Sequence, residues 1–314
     1  MQQLFNSIVS QSVKDNTYKF ALTKFLLDYS HENQKVDVHQ ISYDEIAEKF
    51  LEYYWFQECK YKFKQDFKIE RLPKVIGIIR RYCGENYIPE SYEEYFKGKV
   101  DLKRTMIKEI KSHCLQDVIP RLQPKNIFSF YRHFHTLSPT RKKFRLPSKN
   151  KRYIEITEVA HQFFKENYYV LSKLLIYEWA KFLEKTNFTP MLIAKIEGLG
   201  LHERRSLTKY RNILLKQMDT RCFYCDSIVY NNDIHIDHFI PWSYIYDDVI
   251  WNLVISCSAC NLKKSDYLAP STCLVKIEKR NEMYSFNEYG KDIKEYYENC
   301  NKAGFLTIED IKCS

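Results

Sequence analysis

The sequence has little glycine. Only seven of its 314 residues are glycine, against the roughly 7% that is average for proteins. A turn-rich β sandwich uses glycine wherever the backbone takes positive φ, so the scarcity argues against that class. Tyrosine and phenylalanine are abundant instead, at 25 and 20 residues. This composition favours helices joined by short connections.

Long apolar runs are also missing. No run approaches the eighteen residues that suggest a membrane-spanning helix, and the first residues lack a basic segment followed by an apolar one. We therefore expect a cytoplasmic protein without a membrane span. Closely spaced cysteines then favour metal binding over disulfides. Six of the ten cysteines are solitary, and we expect them to be buried, inert thiols: Cys59, Cys83, Cys114, Cys273, Cys300 and Cys313.

Acidic residues are absent from one stretch, residues 121–154. It carries ten Lys or Arg with interleaved aromatic side chains, in a chain that has 40 acidic residues and a net charge of +9. Pro139 and Pro147 indicate a loop or arm. Two interpretations stay open: a nucleic-acid surface, or a solvated basic loop whose aromatic residues belong to the core. The candidate contacts are Arg141, Lys142, Lys143 and Arg145.

The first two hundred residues have helical periodicity. Apolar residues recur at helical spacing from residue 18, with Thr17 as a possible cap, and Ser42 with Glu45 forms a capping-box pattern before the next apolar stripe. Further helices are predicted around residues 102–115, 156–183, 191–198 and 203–218.

Two cysteine pairs have metal-ligand spacing. They are Cys222 with Cys225 in "CFYC" and Cys257 with Cys260 in "CSAC". Two such knuckles let four sulfurs converge on one Zn²⁺ in a closed tetrahedral site. The 31 residues between Cys225 and Cys257 exceed the usual ribbon spacing. The zinc ion would therefore close a longer loop of the chain, and we expect an active site within that loop.

The order of motifs around the cysteines resembles the HNH nuclease family. "CFYC", "IDHFIP", "WNLV" and "CSACNLKKSD" follow one another within residues 207–268. Family members are also called ββα-metal or His-Me finger nucleases, and this order is most similar to their zinc-bearing McrA-like branch. The resemblance implies a two-stranded hairpin and a helix that grip one divalent metal ion and cut phosphodiester bonds.

The resemblance also implies roles for three residues. His238 matches the general base, and Asn252 matches the middle asparagine that orients this histidine. Asn261 stands at the third position, where many members carry histidine. An asparagine there makes the metal site rich in oxygen.

Hydrolysis of a phosphodiester fits these residue types. A neutral imidazole can accept a proton from water near pH 7, and a cation neutralises charge on the scissile phosphate. Asp237 and Asn261 supply oxygens that suit Mg²⁺ or Mn²⁺. Strand alternation would send Asp237 and His238 to opposite faces, so we expect the strand to end there and both side chains to reach one phosphate. Lys263 and Lys264 are either phosphate contacts or ordinary surface lysines.

The sequence thus predicts a mainly α protein with a helical N-terminal region and a small C-terminal ββα-metal domain stapled by a four-cysteine zinc site. The predicted divisions are a recognition or regulatory region at 1–200, a nuclease domain at 201–270 and a helical extension at 271–314. The first region is also where we expect a protein partner or an activating signal to bind. The predicted function is metal-dependent cleavage of double-stranded DNA, in a bacterial defence or restriction role. The alternatives are a non-catalytic zinc-ribbon DNA-binding protein and an RNA-cleaving, toxin-like nuclease.

Overall fold

The computed structural model describes most of the chain: residues 1–12, 14, 16–33, 40–66, 72–84, 88, 90–123, 130–140, 143–187, 189–197, 206–287, 292–309 and 311. It divides into two compact units, Met1–Asn187 and Phe188–Ser314. Helices predominate over strands, which confirms the mainly α prediction. The functional divisions after residues 200 and 270 stay predictions.

Nine helices are described in the N-terminal unit: α1 (Gln2–Asn6), α2 (Tyr18–Glu32), α3 (Tyr43–Cys59), α4 (Lys74–Cys83), α5 (Tyr92–Phe96), α6 (Val100–His113), α7 (Leu115–Leu122), α8 (Glu158–Glu166) and α9 (Tyr168–Leu183). A π-helical turn at Ser7–Gln11 follows α1. Helix α3 packs against α2, α4 and α6, while α2 also packs against α8 and α9.

One of the two predicted helix caps forms, and the other does not. Ser42 and Glu45 form the capping box of α3, with the Glu45 carboxylate accepting from the Ser42 N–H at 2.8 Å. Thr17 precedes α2 but makes no capping bond, because its buried hydroxyl donates to Gln65 at 2.8 Å. The single helix predicted around residues 156–183 is two helices that meet at Asn167.

Short strands accompany these helices. A three-stranded antiparallel sheet has the order β1 (Gln40–Ser42), β5 (Tyr153–Ile156), β2 (Tyr131–Arg132). Strands β3 (Thr136–Leu137) and β4 (Phe144–Arg145) form a separate hairpin, in which Thr136 pairs with Arg145.

The basic segment contains both buried aromatic residues and exposed basic residues, and whether it contacts nucleic acid stays a prediction. Phe130 and Tyr131 are fully buried in the core, whereas Lys143 and Arg145 are exposed on the β3–β4 hairpin. The other two candidate contacts, Arg141 and Lys142, lie outside the described residues.

The C-terminal unit contains the predicted ββα arrangement. Strands β6 (His235–His238) and β7 (Leu253–Ser256) pair antiparallel, with His238 opposite Leu253, and α13 (Ser258–Lys264) follows directly and contacts β6. Helices α10 (Leu192–Glu197) and α11 (Thr208–Gln217) precede the hairpin. A short helix, α12 (Trp242–Ile245), lies in the connection between the strands.

Residues beyond 270 complete the core of this unit. Helices α14 (Thr272–Met283) and α15 (Ile293–Lys302) bury Ile277 and Tyr297 against the hairpin segment. The Arg280 guanidinium on α14 donates to the carbonyls of Trp251 and Leu253, at 3.1 and 2.7 Å. These bonds hold the chain where it enters β7.

The solitary cysteines are mostly as predicted. Cys59, Cys114 and Cys300 are buried free thiols, and Cys83 is a half-buried one. The prediction is wrong for Cys273, which is buried and disulfide-bonded, and Cys313 lies outside the described residues. Of the helices described here, none is long and apolar enough to cross a membrane.

Candidate active site and metal centre

The four paired cysteines converge on one point. Their Sγ atoms all lie within 4.8 Å of one another, and the Cys225 and Cys257 sulfurs are 3.9 Å apart. Four sulfurs at about 2.3 Å from a tetrahedral Zn²⁺ are about 3.8 Å apart. The donor set and its spacing fit a structural zinc ion.

Local backbone geometry places the two knuckles. In the first, the Asp226 N–H donates to the Cys222 carbonyl at 2.9 Å, and Asp226 takes a positive φ of 59° to close the turn. In the second, Cys257 is the N-cap of α13, so both of its cysteines lie at the start of that helix. The Phe223 N–H donates to the Ile255 carbonyl at 2.8 Å. The cysteine cluster therefore fastens the hairpin to the helix.

The thiols of this cluster differ in acidity. Burial raises the pKa of Cys222 and of Cys260. Burial also opposes ionisation of Cys225, but hydrogen bonds with Ser227 and the neighbouring thiols outweigh it and lower its pKa to about 7. Because thiolates are the zinc ligands, metal binding must displace protons from the less acidic thiols.

Asp237 lies between the two knuckles. Its side chain is buried, and its Oδ2 accepts from the Tyr224 hydroxyl at 2.6 Å. The Lys264 ammonium is 3.3 Å from the same oxygen. Burial, followed by the Asp237 charge, raises the pKa of Tyr224 far above its ordinary value, so this phenol stays a donor. Tyr224 belongs to the first knuckle and Lys264 follows the second, so each knuckle supplies one partner for the carboxylate.

The position of Lys264 corrects one prediction. Lys264 has 0% exposure, and a side chain without exposed surface does not reach a nucleic-acid phosphate. The prediction of a phosphate contact is wrong for Lys264. Its neighbour Lys263 is exposed on α13, and its phosphate contact stays a prediction.

Asn261 follows the second knuckle directly and is half-buried on α13. In the described part of the chain, no hydrogen bond to its side-chain amide is found. Oδ1 of Asp237 likewise keeps its lone pairs there, since Tyr224 and Lys264 both engage Oδ2. A carboxylate oxygen and an amide oxygen are donors that fit Mg²⁺ or Mn²⁺ better than a second zinc.

His238 is the last residue of β6, as predicted, and the chain bends at residues 239 and 240. Its Nε2 lies 2.9 Å from Oδ1 of Asp248, and both side chains are largely buried, with 12% and 15% exposure. Asp237 and His238 have separate partners on alternate faces of the hairpin. That both reach one phosphate therefore stays a prediction.

Asn252 acts on the backbone beside His238. It is fully buried, its Oδ1 accepts from the Ile240 N–H at 2.8 Å, and its Nδ2 donates to the Ile240 carbonyl at 2.9 Å. The Phe239 N–H donates to the Asn252 carbonyl at 2.8 Å. Asn252 thus fixes the bend that follows the histidine, without a described hydrogen bond to the imidazole.

Two residues of this site were not predicted from the sequence: Asp248 and Tyr224. Asp248 lies ten residues after His238 in a polar connection that has no recognisable motif. Tyr224 lies inside a knuckle whose pattern specifies only the two cysteines. The one available signal for Tyr224 was a polar aromatic residue at a position that a small zinc-bound core would bury.

Comparison with known proteins agrees with this geometry. Residues 222–270 match the family model described as HNH endonuclease. Neither a curated protein nor a solved structure matches the chain. The matched residues include both knuckles, β6, β7 and α13. Residues 222–270 are therefore similar to an HNH endonuclease domain.

Proposed function

We propose that this protein is a metal-dependent endonuclease that hydrolyses phosphodiester bonds in duplex DNA. The observation that carries the proposal is the position of His238 at the end of β6, within the ββα unit that matches the HNH endonuclease family model. His238 is the proposed general base. Asn252 holds the bend next to it, and the four cysteines hold a structural zinc ion.

The proposed residues divide the chemistry between them. With Nε2 directed at Asp248, the remaining nitrogen of His238, Nδ1, can take a proton from the attacking water. Asp237 and Asn261 would hold Mg²⁺ or Mn²⁺, which when bound neutralises charge on the scissile phosphate. Tyr224 and Lys264 keep the Asp237 carboxylate oriented and compensated in its buried position.

Charge supports a nucleic acid as the substrate. The chain has a net charge of +9, and the β3–β4 hairpin exposes Lys143 and Arg145. In the described part of the chain neither residue has an acidic partner. Unpaired exposed cations on a narrow hairpin suit contact with a phosphate backbone. A cytoplasmic location is a further proposal, and a role in bacterial defence or restriction is one by analogy with similar nucleases.

The test offers two different nucleic acids to the zinc-loaded protein. Supercoiled plasmid and a structured RNA of similar nucleotide concentration are incubated with Mg²⁺, with Mn²⁺ or with a chelator that leaves the structural zinc in place. We expect nicking and linearisation of the plasmid with either added ion, and much slower cleavage of the RNA.

Two results would replace the proposal. Cleavage of the RNA with intact plasmid would make the protein an RNA-directed nuclease. Binding of plasmid without cleavage under every divalent ion would make it a non-catalytic zinc-ribbon DNA-binding protein.

A further inference from the structure

The carboxylate nearest to the proposed base is that of Asp248, which the sequence pattern does not single out. Its Oδ1 lies 2.9 Å from Nε2 of His238, and the two side chains are largely shielded from solvent. An ion pair between flexible, exposed side chains has no fixed geometry and contributes little energy. This pair is different because both of its residues are held by their backbones.

Each backbone has its own anchor. On the Asp248 side, the Tyr210 hydroxyl of α11 donates to the Asp248 carbonyl at 2.6 Å. On the His238 side, the residue is paired with Leu253 across the hairpin, and Asn252 fixes the following bend. The imidazole and the carboxylate therefore meet in one arrangement.

We propose that Asp248 is a positioning residue for His238, an inference that rests on the proposed function. A carboxylate only accepts hydrogen bonds when ionised, so it selects the tautomer in which Nε2 carries the proton. That choice leaves the Nδ1 lone pair for the attacking water. Asp248 also limits rotation of the ring, so that the lone pair keeps one direction.

The test uses Asp248→Asn, which keeps the shape of the side chain but offers an amide that can also donate. Asp247→Asn is the matched control, because it removes the same charge from the adjacent exposed residue and keeps an oxygen that can accept the Asp248 N–H. Asp248→Glu retains a carboxylate and tests for partial rescue. Zinc content and chemical unfolding are measured for each protein first, to identify variants that have not folded.

Two readouts are then compared. Single-turnover plasmid cleavage should fall by at least about tenfold in Asp248→Asn, less than the roughly 10²–10⁴-fold expected for loss of the base itself. Asp248→Glu should retain more activity than Asp248→Asn, and Asp247→Asn should match the wild type. In zinc-loaded protein without Mg²⁺, ¹⁵N-resolved spectra of the His238 ring should contain a protected Nε2–H resonance. Asp248→Asn should shift or lose this resonance, and Asp247→Asn should retain it.

The possible results distinguish a failure of the positioning role of Asp248 from a failure of the proposed nuclease function. A wild-type rate in Asp248→Asn, or a lower rate with an unchanged Nε2–H resonance, overturns the positioning role while the nuclease proposal stands. A wild-type rate in His238→Ala overturns the nuclease mechanism itself.

Discussion

At the scale of single residues, two adjacent lysines have opposite environments. Lys263 is exposed on α13, whereas Lys264 is fully buried beside the Asp237 carboxylate. Their identical chemistry in the sequence "NLKK" gives no sign of this difference, because helix α13 has too few residues for a periodic pattern. The burial depends on the packing of α13 against β6.

Lys264→Met should destabilise the protein strongly. Removing one partner of a buried ion pair leaves an uncompensated charge, which costs about 3–5 kcal/mol. Lys263→Met is the matched control and should change the free energy of unfolding by no more than about 0.5 kcal/mol. Chemical unfolding of zinc-loaded protein without Mg²⁺ measures both. Equal stability of the two variants would mean that Lys264 does not compensate Asp237.

Tyr224→Phe tests the other partner of Asp237. The variant removes only the hydroxyl that donates to the carboxylate, and a hydrogen bond to a charged group contributes about 1.5–3 kcal/mol. We expect a loss of that size in the free energy of unfolding, with one zinc still bound. Because the carboxylate is less firmly oriented, cleavage should also need more Mg²⁺ to reach half its maximum rate. An unchanged stability and Mg²⁺ requirement would remove Tyr224 from the site.

Residue types and spacing predicted part of this site, but not its partners. The four cysteines, Asp237, His238, Asn252 and Asn261 stand in recognisable motifs, so their roles could be proposed from the sequence. Asp248 could not be found in this way, because its approach to His238 depends on the path of the connection between β6 and β7. Asn252 was expected to orient the histidine, and only the structure places its bonds on the Ile240 backbone.

At the scale of elements, the four-cysteine cluster joins a two-stranded hairpin to a short helix. A two-stranded hairpin alone is marginally stable, and α13 spans only seven residues. The knuckles join the two elements to each other, in addition to the apolar contacts that β7 makes in the core of this unit. The ββα arrangement was predictable because its motifs occur in order, whereas the short strands β3 and β4 were not, since two-residue strands have no measurable period.

Cys257→Ser should release the zinc ion and unfold the C-terminal unit. Metal analysis of the wild type should return about one zinc per chain, as expected for a four-coordinate structural site. Zinc affinity should fall as the pH is lowered, because burial raises the pKa of Cys222 and Cys260 and bound zinc must displace their protons. A serine variant that retains its zinc and its thermal stability would contradict this account.

The β3–β4 hairpin should contribute salt-dependent DNA binding. Replacing Lys143 and Arg145 by alanine should weaken binding without sequence preference, and should reduce the slope of log K against log salt by about 0.9 for each lost phosphate contact. The control replaces Lys97 and Lys108, two exposed lysines of the same unit, and should leave the slope unchanged. Equal slopes for the two double variants would make the hairpin an ordinary solvated surface.

At the scale of the whole molecule, the chain has two compact units. The C-terminal unit has a hydrophobic cluster of its own, from Leu214 to Ile311. The N-terminal unit buries large aromatic residues such as Trp55 and Trp179. The two units divide after residue 187, whereas the functional division proposed from the sequence, after residue 200, stays a prediction.

Heating the full chain should therefore produce two unfolding transitions. A strong zinc chelator should lower the temperature of one transition and leave the other nearly unchanged, because only the C-terminal unit gains free energy from bound zinc. Calorimetry with and without chelator measures this. A single transition that shifts as a whole would mean that the two units unfold together.

The most direct test of the central claim is single-turnover cleavage of supercoiled plasmid by zinc-loaded wild type, His238→Ala and Asn261→Ala across a range of Mg²⁺ and Mn²⁺ concentrations. His238→Ala should lose about 10²–10⁴-fold in rate at every ion concentration, because it lacks the general base. Asn261→Ala should regain part of its activity in excess metal, since it has lost one ligand of the cation. A His238→Ala protein that cuts at the wild-type rate would contradict the assignment of this site as the nuclease centre.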